Sequence, residues 1–279
     1  MTAEPGDGGD GRIAVFRRLH QQGCFVIPNP WDAGSARLLS QLGFPALATT
    51  SAGFAWSLGR PDNGVTLDEA LGHFRAVSGS VALPVNADFE GGFAEEPAAV
   101  AGNVARAAAT GIAGLSIEDA SGVAAQPLFD LPLAVERVGA ARQAIDESGT
   151  GILLTARSEG YLVGRPDLDA TIRRLVAFAE IGADCLYAPG LTRLDDVRAV
   201  VRAVAPRAVN VLAGSNFATV AELAEAGVRR ISVGGALARA ALSGFLDAAR
   251  EIADRGTFSR LAAAVPFTAL NAAFAKPRD

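Results

Sequence analysis

Eight short runs of aliphatic and β-branched residues recur along the chain, most of them followed by a stretch with helical period, and this rhythm leaves few folds open. The runs lie at Phe25 to Pro30, Ala46 to Ser51, Leu83 to Phe89, Ile112 to Asp119, Ile152 to Ser158, Asp184 to Pro189, Val209 to Gly214 and Arg230 to Gly235. Between two of them, Leu168, Ile172, Leu175, Val176 and Ala179 fall on one helical face. Strands apolar on both faces that alternate with helices imply a parallel sheet. Eight such units in 279 residues close most economically as one α/β domain, a (β/α)8 TIM-type barrel. Gly43, Gly111, Gly182 and Gly227 each stand between a helical stretch and the next run, where a C-cap glycine resets the chain. The expected organisation is a disordered tail over 1–11, the barrel over 12–255, and a C-terminal helix over 256–279 available for a subunit contact. Two extra helical stretches are expected after the eighth run, about Ala236 to Arg255 and Phe258 to Ala275.

Composition then removes whole classes of function. Half of the residues are hydrophobic, enough for a large core, and no apolar run approaches the roughly 18 residues that span a bilayer. With a net charge of -5 there is no basic surface to follow a nucleic-acid backbone. The opening MTAEPGDGGDG is acidic and Gly-rich where a signal peptide is basic and then apolar, which together with only two cysteines, Cys24 and Cys185, suits the cytoplasm. The single lysine, Lys276, sits at the C-terminus, so a Schiff-base mechanism lacks its amine. Two histidines, His20 and His73, both in polar, helical-looking contexts, cannot build a zinc site or supply a convincing triad. Carboxylates, arginine, hydroxyls and backbone amides remain, which is the equipment of a Mg2+ site.

In a barrel of this kind the chemistry sits where strands end. The ends carry Asn29; Thr50, Ser51, Ala52 and Gly53; Asn86, Asp88 and Glu90; Glu118 and Asp119; Arg157 and Glu159; Tyr187; Ser215 and Asn216; and Gly234 with Gly235. Polar residues cap most strands, and any one alone is more often structural than functional. Asn86, Asp88 and Glu118 together, however, place oxygen ligands on neighbouring strands within reach of one hard cation, because neighbouring carboxylates in a pocket repel unless a cation or proton offsets them. Arg157 opposite them suits an anion clamp for a substrate carboxylate. The run ISVGGALARA invites a phosphate-binding reading, although small residues there equally permit close helix packing.

Four stretches in order, PNPWDAGSARLLSQLGFPALATTSAGFAWSLGRPD, LPVNADFEGGF, GIAGLSIED and LLTARSEGY, resemble the isocitrate lyase and phosphoenolpyruvate mutase superfamily, over about Phe25 to Gly244. The resemblance implies a barrel, often tetrameric, that binds Mg2+ or Mn2+ and a small 2-oxo or 2-hydroxy acid and makes or breaks a C–C or P–C bond through a metal-stabilised enolate. It implies that Thr50, Ser51, Ala52 and Gly53 hold a substrate carboxylate, that Asp62 orients a metal-bound water, that Asn86, Asp88 and Glu118 hold the metal, and that Arg157 binds substrate.

Two departures narrow the reading. Asn86 stands where the superfamily carries Asp, and the loop after Glu118-Asp119, Ser121 to Pro132, has none of the Cys, Lys, His or Asn residues with which the lyases and mutases work. A standard isocitrate lyase or phosphoenolpyruvate mutase is therefore not expected. The expectation is a Mg2+-dependent carbon–carbon lyase acting on a small 2-oxo or 2-hydroxy (di)carboxylic acid, with Arg157, Glu159 and Tyr187 as the catalytic group and a homodimer or homotetramer as the assembly. The alternatives are an oxaloacetate decarboxylase or phosphonopyruvate hydrolase-like enzyme, or a 2-oxo acid binding protein without catalysis.

Overall fold

The computed structural model describes residues 10–214 and 216–275. The elements are α1 (Asp10–Gln21), β1 (Phe25–Ile27), α2 (Ala33–Ser40), β2 (Leu47–Ala48), α3 (Ser51–Ser57), α4 (Leu67–Ser78), β3 (Val85–Asp88), α5 (Pro97–Ala108), β4 (Gly114–Glu118) and α6 (Leu131–Ser148). They continue with β5 (Leu153–Arg157), α7 (Leu168–Glu180), β6 (Cys185–Tyr187), α8 (Leu194–Val204), β7 (Ala208–Leu212), α9 (Val220–Glu225), β8 (Arg230–Ser232), α10 (Ala236–Arg255) and α11 (Phe267–Ala275), with a short 3-10 turn at Ser259–Ala263. All eight strands are parallel, in the order β1-β8-β7-β6-β5-β4-β3-β2. This is the TIM-type α/β barrel expected. The seam between β1 and β2 is held by Ala48 N donating to Pro28 O at 3.1 Å and by Asn29 Nδ2 donating to Thr49 O at 3.0 Å. Of the expected tail, positions 1–9 lie outside the described residues, as do Ser215 and Lys276, while Asp10 and Gly11 already belong to α1.

Side-chain alternation along each strand separates two environments. Outward residues such as Ala87, Leu115, Ile117, Leu154, Ala156, Leu186, Val209, Val211 and Ile231 merge with the helices into one large apolar core. A second cluster, Phe16, Phe25, Ile27, Ala46, Ala48, Ala113 and Leu153, fills the N-terminal end of the barrel. Gly114 is needed there, since a Cβ would come within 2.8 Å of the Phe16 ring. Gly43, Gly111, Gly182 and Gly227 all have φ between 81° and 105°, the left-handed conformation that ends a helix at little cost only with glycine.

The interior above that plug is polar, which departs from the aliphatic layers usual in this fold. Asn86, Ser116, Arg157, Tyr187, Asn210, Arg230 and Ser232 all face one cavity. Both histidines are helical, but their contexts are less polar than the sequence suggests. His73 is buried and stacks on Phe54 at 4.0 Å. His20 packs edge-on to Phe16 and Phe25, with Nδ1 at 2.8 Å from Phe16 O and Nε2 at 3.4 Å from Arg230 Nη1. A guanidinium can only donate, so His20 must be neutral, with its proton on Nδ1. Burial and then Arg230 lower its pKa to about 3. Among the described residues no helix is long and apolar enough to cross a membrane.

A testable consequence follows from the His20 shift. The unfolded chain binds a proton near the ordinary histidine value and the folded one does not, so this contribution is complete above that value and is lost as pH falls toward 3. His20→Gln should lower the melting temperature more at pH 7.5 than at pH 4.5, and a gap equal at both values would show that His20 does not titrate in this environment.

Candidate active site

The C-terminal ends of β3, β4 and β5 bring three acidic side chains around one cation. Arg157 at the end of β5 donates from Nη1 to Asp88 Oδ1 at 2.8 Å and from Nε to Glu159 Oε1 at 2.8 Å, and its Nη2 lies 3.2 Å from Glu118 Oε2. The register makes this possible, because Glu118 pairs with Arg157 across β4 and β5 while Asp88 ends the strand beyond. Burial alone would depress the guanidinium, but Glu159, Glu118 and Asp88 outweigh it and raise its pKa further. Arg157 is held by a relay of its own. Arg174 Nη1 donates to Asp119 Oδ2 at 3.1 Å, Asp119 Oδ1 accepts from Glu159 N at 2.8 Å, and Glu159 then fixes the Arg157 Nε edge.

Asp88 is anchored on its other side. Its Oδ2 accepts from Ser51 N at 3.0 Å, and its own N donates to Thr49 Oγ1 at 2.8 Å. Glu90, two residues further, has φ +48°, a conformation costly for a residue with a side chain. Burial, then Asp88 and Asp62, raise its carboxyl to about 8 against the pull of Arg157. Burial also raises Glu118, with Glu159, Asp88 and Glu90 adding to the effect and Arg157 opposing it. The mouth therefore holds more carboxylate than cation.

A cavity of about 170 Å³ opens beside this cluster, walled by Asp62, Asn86, Asp88, Arg157 and Tyr187 together with the Thr50, Ser51 and Ala52 segment. Eight of the eleven expected site residues thus share one cavity, and Glu118 joins them through Arg157. Glu159 and Gly53 line no wall of it. Glu159 grips Arg157 from behind, and Gly53 is packed so closely against Thr50, Trp31 and Ala238 that an added Cβ would come within 2.7 Å of Thr50 Cγ2. Two of the amides expected to hold a carboxylate are already used, Ser51 N on Asp88 and Gly53 N on Thr50 Oγ1 at 3.3 Å.

Asn86 Oδ1 lies 3.4 Å from Arg230 Nη1, and its amide donates to Ala87 O at 3.1 Å. A carboxylate at position 86 would meet Arg230 first. Arg230, Asn210 and Ser232 are wall residues that the sequence reading passes over, because Arg230 starts β8, Asn210 is the middle of β7, and Ser232, which ends β8, lies inside a run that the sequence reading carries on to Gly235. The phosphate reading of the loop after β8 finds no support, since Asn29 Oδ1 accepts both Val233 N at 2.9 Å and Gly234 N at 2.8 Å. Trp31 packs against α10 and does not line the mouth, and the Trp56 ring covers Gly235.

The loop after Asp119 folds back as a small hairpin. Ala120 bridges Leu128, Ser121 N donates to Pro127 O at 3.0 Å, and Phe129 N donates to Asp119 O at 3.0 Å. It roofs a second, wider cavity of about 580 Å³ that shares Glu90 and Glu118 with the cluster and reaches the buried Arg137.

Among the described residues, no three His, Cys, Asp or Glu side chains are arranged for direct metal ligation. The donor chemistry nevertheless fits Mg2+, which keeps several waters and takes only one or two protein carboxylates. Asp88 and Glu118 would supply those, with Asp62 and Glu90 in the same charge cluster, and the excess of buried carboxylate is what a divalent cation would offset.

The charge cluster yields a stability prediction. Arg157→Leu leaves Asp88, Glu118 and Glu159 unpaired, at a cost of about 3–5 kcal/mol. Carboxyls whose folded pKa is raised bind protons better in the folded state, so the loss should shrink as pH falls from 8 to 5.5. Denaturant unfolding at both values checks this, and an equal loss would mean the carboxylates do not depend on Arg157.

Comparison with known proteins agrees with the geometry. The phosphoenolpyruvate phosphomutase family model matches residues 16–253. An uncharacterised protein of Mycobacterium tuberculosis strain H37Rv is 34% identical over 259 residues, covering 92% of this chain and 95% of that protein. The 2-methylisocitrate lyase of Escherichia coli K12 is 31% identical over 192 residues, covering 67% of this chain and 64% of the enzyme. A crystal structure from Burkholderia cenocepacia J2315, described as a lyase/mutase, superposes with a TM-score of 0.95 at 50% identity, covering 97% of this chain and 99% of that one. The match to the family model over most of the length, on a barrel whose mouth gathers Asp88, Glu118 and Arg157, shows that the chain belongs to the phosphoenolpyruvate phosphomutase family of the isocitrate lyase superfamily.

Proposed function

We propose that the protein is a Mg2+-dependent lyase that breaks a carbon–carbon bond in a small 2-oxo or 2-hydroxy (di)carboxylic acid and passes through an enolate. The observation that carries this is Arg157 set among Asp88, Glu118 and Glu159 on the wall of a cavity of about 170 Å³, a space suited to an acid of a few heavy atoms. Asp88 and Glu118 would hold the cation, with Asp62 on its waters, while Asn86 stays with Arg230. Bound there, Mg2+ supplies positive charge to offset the negative charge that develops on the substrate oxygens.

The three guanidinium edges are all committed to carboxylates. With Asp88 and Glu118 holding a cation, Nη1 and Nη2 would be the planar pair of donors that fits a carboxylate. Glu159 keeps its hold on Nε and so keeps the plane oriented. Acid binding is therefore coupled to the cation. Calorimetry should detect oxalate or pyruvate binding with Mg2+ and little without it, and Asp88→Ala should abolish Mg2+ binding. Oxalate binding equally well in both conditions would refute this coupling.

The hairpin over Ser121 to Leu128 carries no acid or nucleophile of the usual kind, which keeps an oxo acid binding protein as the second reading. An oxaloacetate decarboxylase or phosphonopyruvate hydrolase-like activity is the other enzymatic variant. A screen of small oxo and hydroxy acids with Mg2+, detecting pyruvate or glyoxylate, distinguishes the three.

We also propose a cytoplasmic homodimer or homotetramer. Leu242, Phe245 and Leu246 of α10, with Phe258, Val265 and Phe267 beyond it, leave an apolar surface exposed, and Phe245 is 66% exposed beside a shallow pocket floored by Trp31 and Ala238. Sedimentation should show an oligomer that Phe245→Glu dissociates, and a monomeric parent would overturn the assembly.

A further inference from the structure

A lyase that leaves an enolate must return a proton to carbon, and the hairpin after Asp119 offers no acid of the usual kind to do so. Two side chains at the strand ends are candidates, and their positions separate them. Glu159 faces no cavity and spends its carboxylate on Arg157. Tyr187, at the end of β6, lines the cavity with its ring centroid 5.2 Å from Arg157 Cζ.

The cavity wall that Tyr187 shares carries a chain of hydrogen bonds with a fixed direction. Arg230 is buried, and among the described residues no carboxylate lies within ion-pair distance of it. Its Nε donates to Asn210 Oδ1 at 2.8 Å. A guanidinium has no acceptor, so the Asn210 amide must turn its oxygen to Arg230 and its nitrogen away. That nitrogen donates to Ser232 Oγ at 2.9 Å. Ser232, already accepting, has its own hydrogen left to donate, and it lines the same cavity as Tyr187. Each member passes the donor role to the next, and the chain begins at a permanent cation. A hydrogen bond from Ser232 to the Tyr187 oxygen would leave the Tyr187 proton for the cavity.

We propose that Tyr187 is the proton donor of this site and that Arg230 and Asn210 direct the Ser232 hydroxyl to donate to the Tyr187 oxygen, which makes the three positioning residues. This rests on the reading of the cavity as an oxo acid site that forms an enolate. The step balances. When the C–C bond breaks, its electron pair remains on the enolate, the Tyr187 O–H bond breaks, and the proton forms the new C–H bond at the enolate carbon. The resulting phenolate, stabilised by the Ser232 hydroxyl and the Arg157 guanidinium, recovers a proton from water. Burial raises the Tyr187 hydroxyl to about 12, which keeps it protonated at neutral pH and able to donate to the far more basic enolate carbon.

The chain contains only two tyrosines, Tyr161 and Tyr187, which makes the test direct. Protein labelled with 3-fluorotyrosine gives two fluorine resonances, assigned with Tyr187→Phe. With Mg2+ present, oxalate, an analogue of the enolate of pyruvate, should move the Tyr187 resonance and leave Tyr161 in place. Exchange of the pyruvate methyl hydrogens in D2O, followed by proton NMR, then reads proton transfer at carbon without any need for the natural substrate. Tyr187→Phe should slow exchange by about 100-fold or more while oxalate affinity changes by less than about threefold. Ser232→Ala should slow it about tenfold and shift the Tyr187 fluorine resonance, with Ser232→Thr restoring both, so the role remains testable if Tyr187→Phe fails to fold. Oxalate binding with undiminished exchange in Tyr187→Phe, or with no exchange in the parent, overturns the donor and leaves the oxo acid reading standing. An unmoved Tyr187 resonance with no oxalate binding to the parent overturns both.

Discussion

Everything at the mouth of this barrel depends on one buried guanidinium. Arg157 holds Asp88, Glu118 and Glu159 together, and without it three carboxylates from neighbouring strands would face one another in a poorly hydrated space. One cation is too few for them, since Glu90 and Glu118 remain pushed toward protonation. The site is short of positive charge, and that is the imbalance the proposed Mg2+ would offset. Under the same proposal the Arg157 donors would reach a substrate only as the carboxylates find another partner.

The second organising feature is the polar interior below the mouth. Barrel cores of this type ordinarily pack aliphatic side chains in layers. Here α1 closes the N-terminal end with Phe16, and above it Arg230 joins Asn86, Asn210 and His20 in a neutral-partnered network. A buried arginine without a carboxylate is expensive, and amide oxygens offset that cost only partly. The Asn86 amide fits this setting, since its oxygen lies beside Arg230 and its nitrogen donates to the Ala87 carbonyl.

Much of the fold was legible because its signals are local. Each strand falls on one of the eight runs read from the sequence, and each of the four helix-ending glycines adopts the positive φ that its place before a run implied. The strand-end rule located Asn86, Asp88, Arg157 and Tyr187 on one cavity without any knowledge of distances, and the family resemblance added Asp62. Asn29 and the Gly234 loop were harder, because a sequence does not show that Asn29 takes up the amides a phosphate would need. Glu159 looked like a donor from its position at a strand end, and only the fold shows its carboxylate turned to Arg157 and away from the cavity.

What the sequence determined by itself was the alternation of strand and helix, the eight-fold count, the absence of lysine, histidine and cysteine chemistry at the strand ends, and the residue types that remain there. These follow from periodicity and composition, which a linear chain carries in full. Tertiary structure decided how those residues are paired: which carboxylates Arg157 binds, which amides are already occupied, and that Arg230, Asn210 and Ser232 form one hydrogen-bonded chain on the cavity wall that Tyr187 shares. The physical reason is that hydrogen-bond direction and charge balance depend on distances between strands far apart in sequence. Asp88 and Arg157, separated by 69 positions, lie 2.8 Å apart only because closing the barrel brings their strand ends to the same rim.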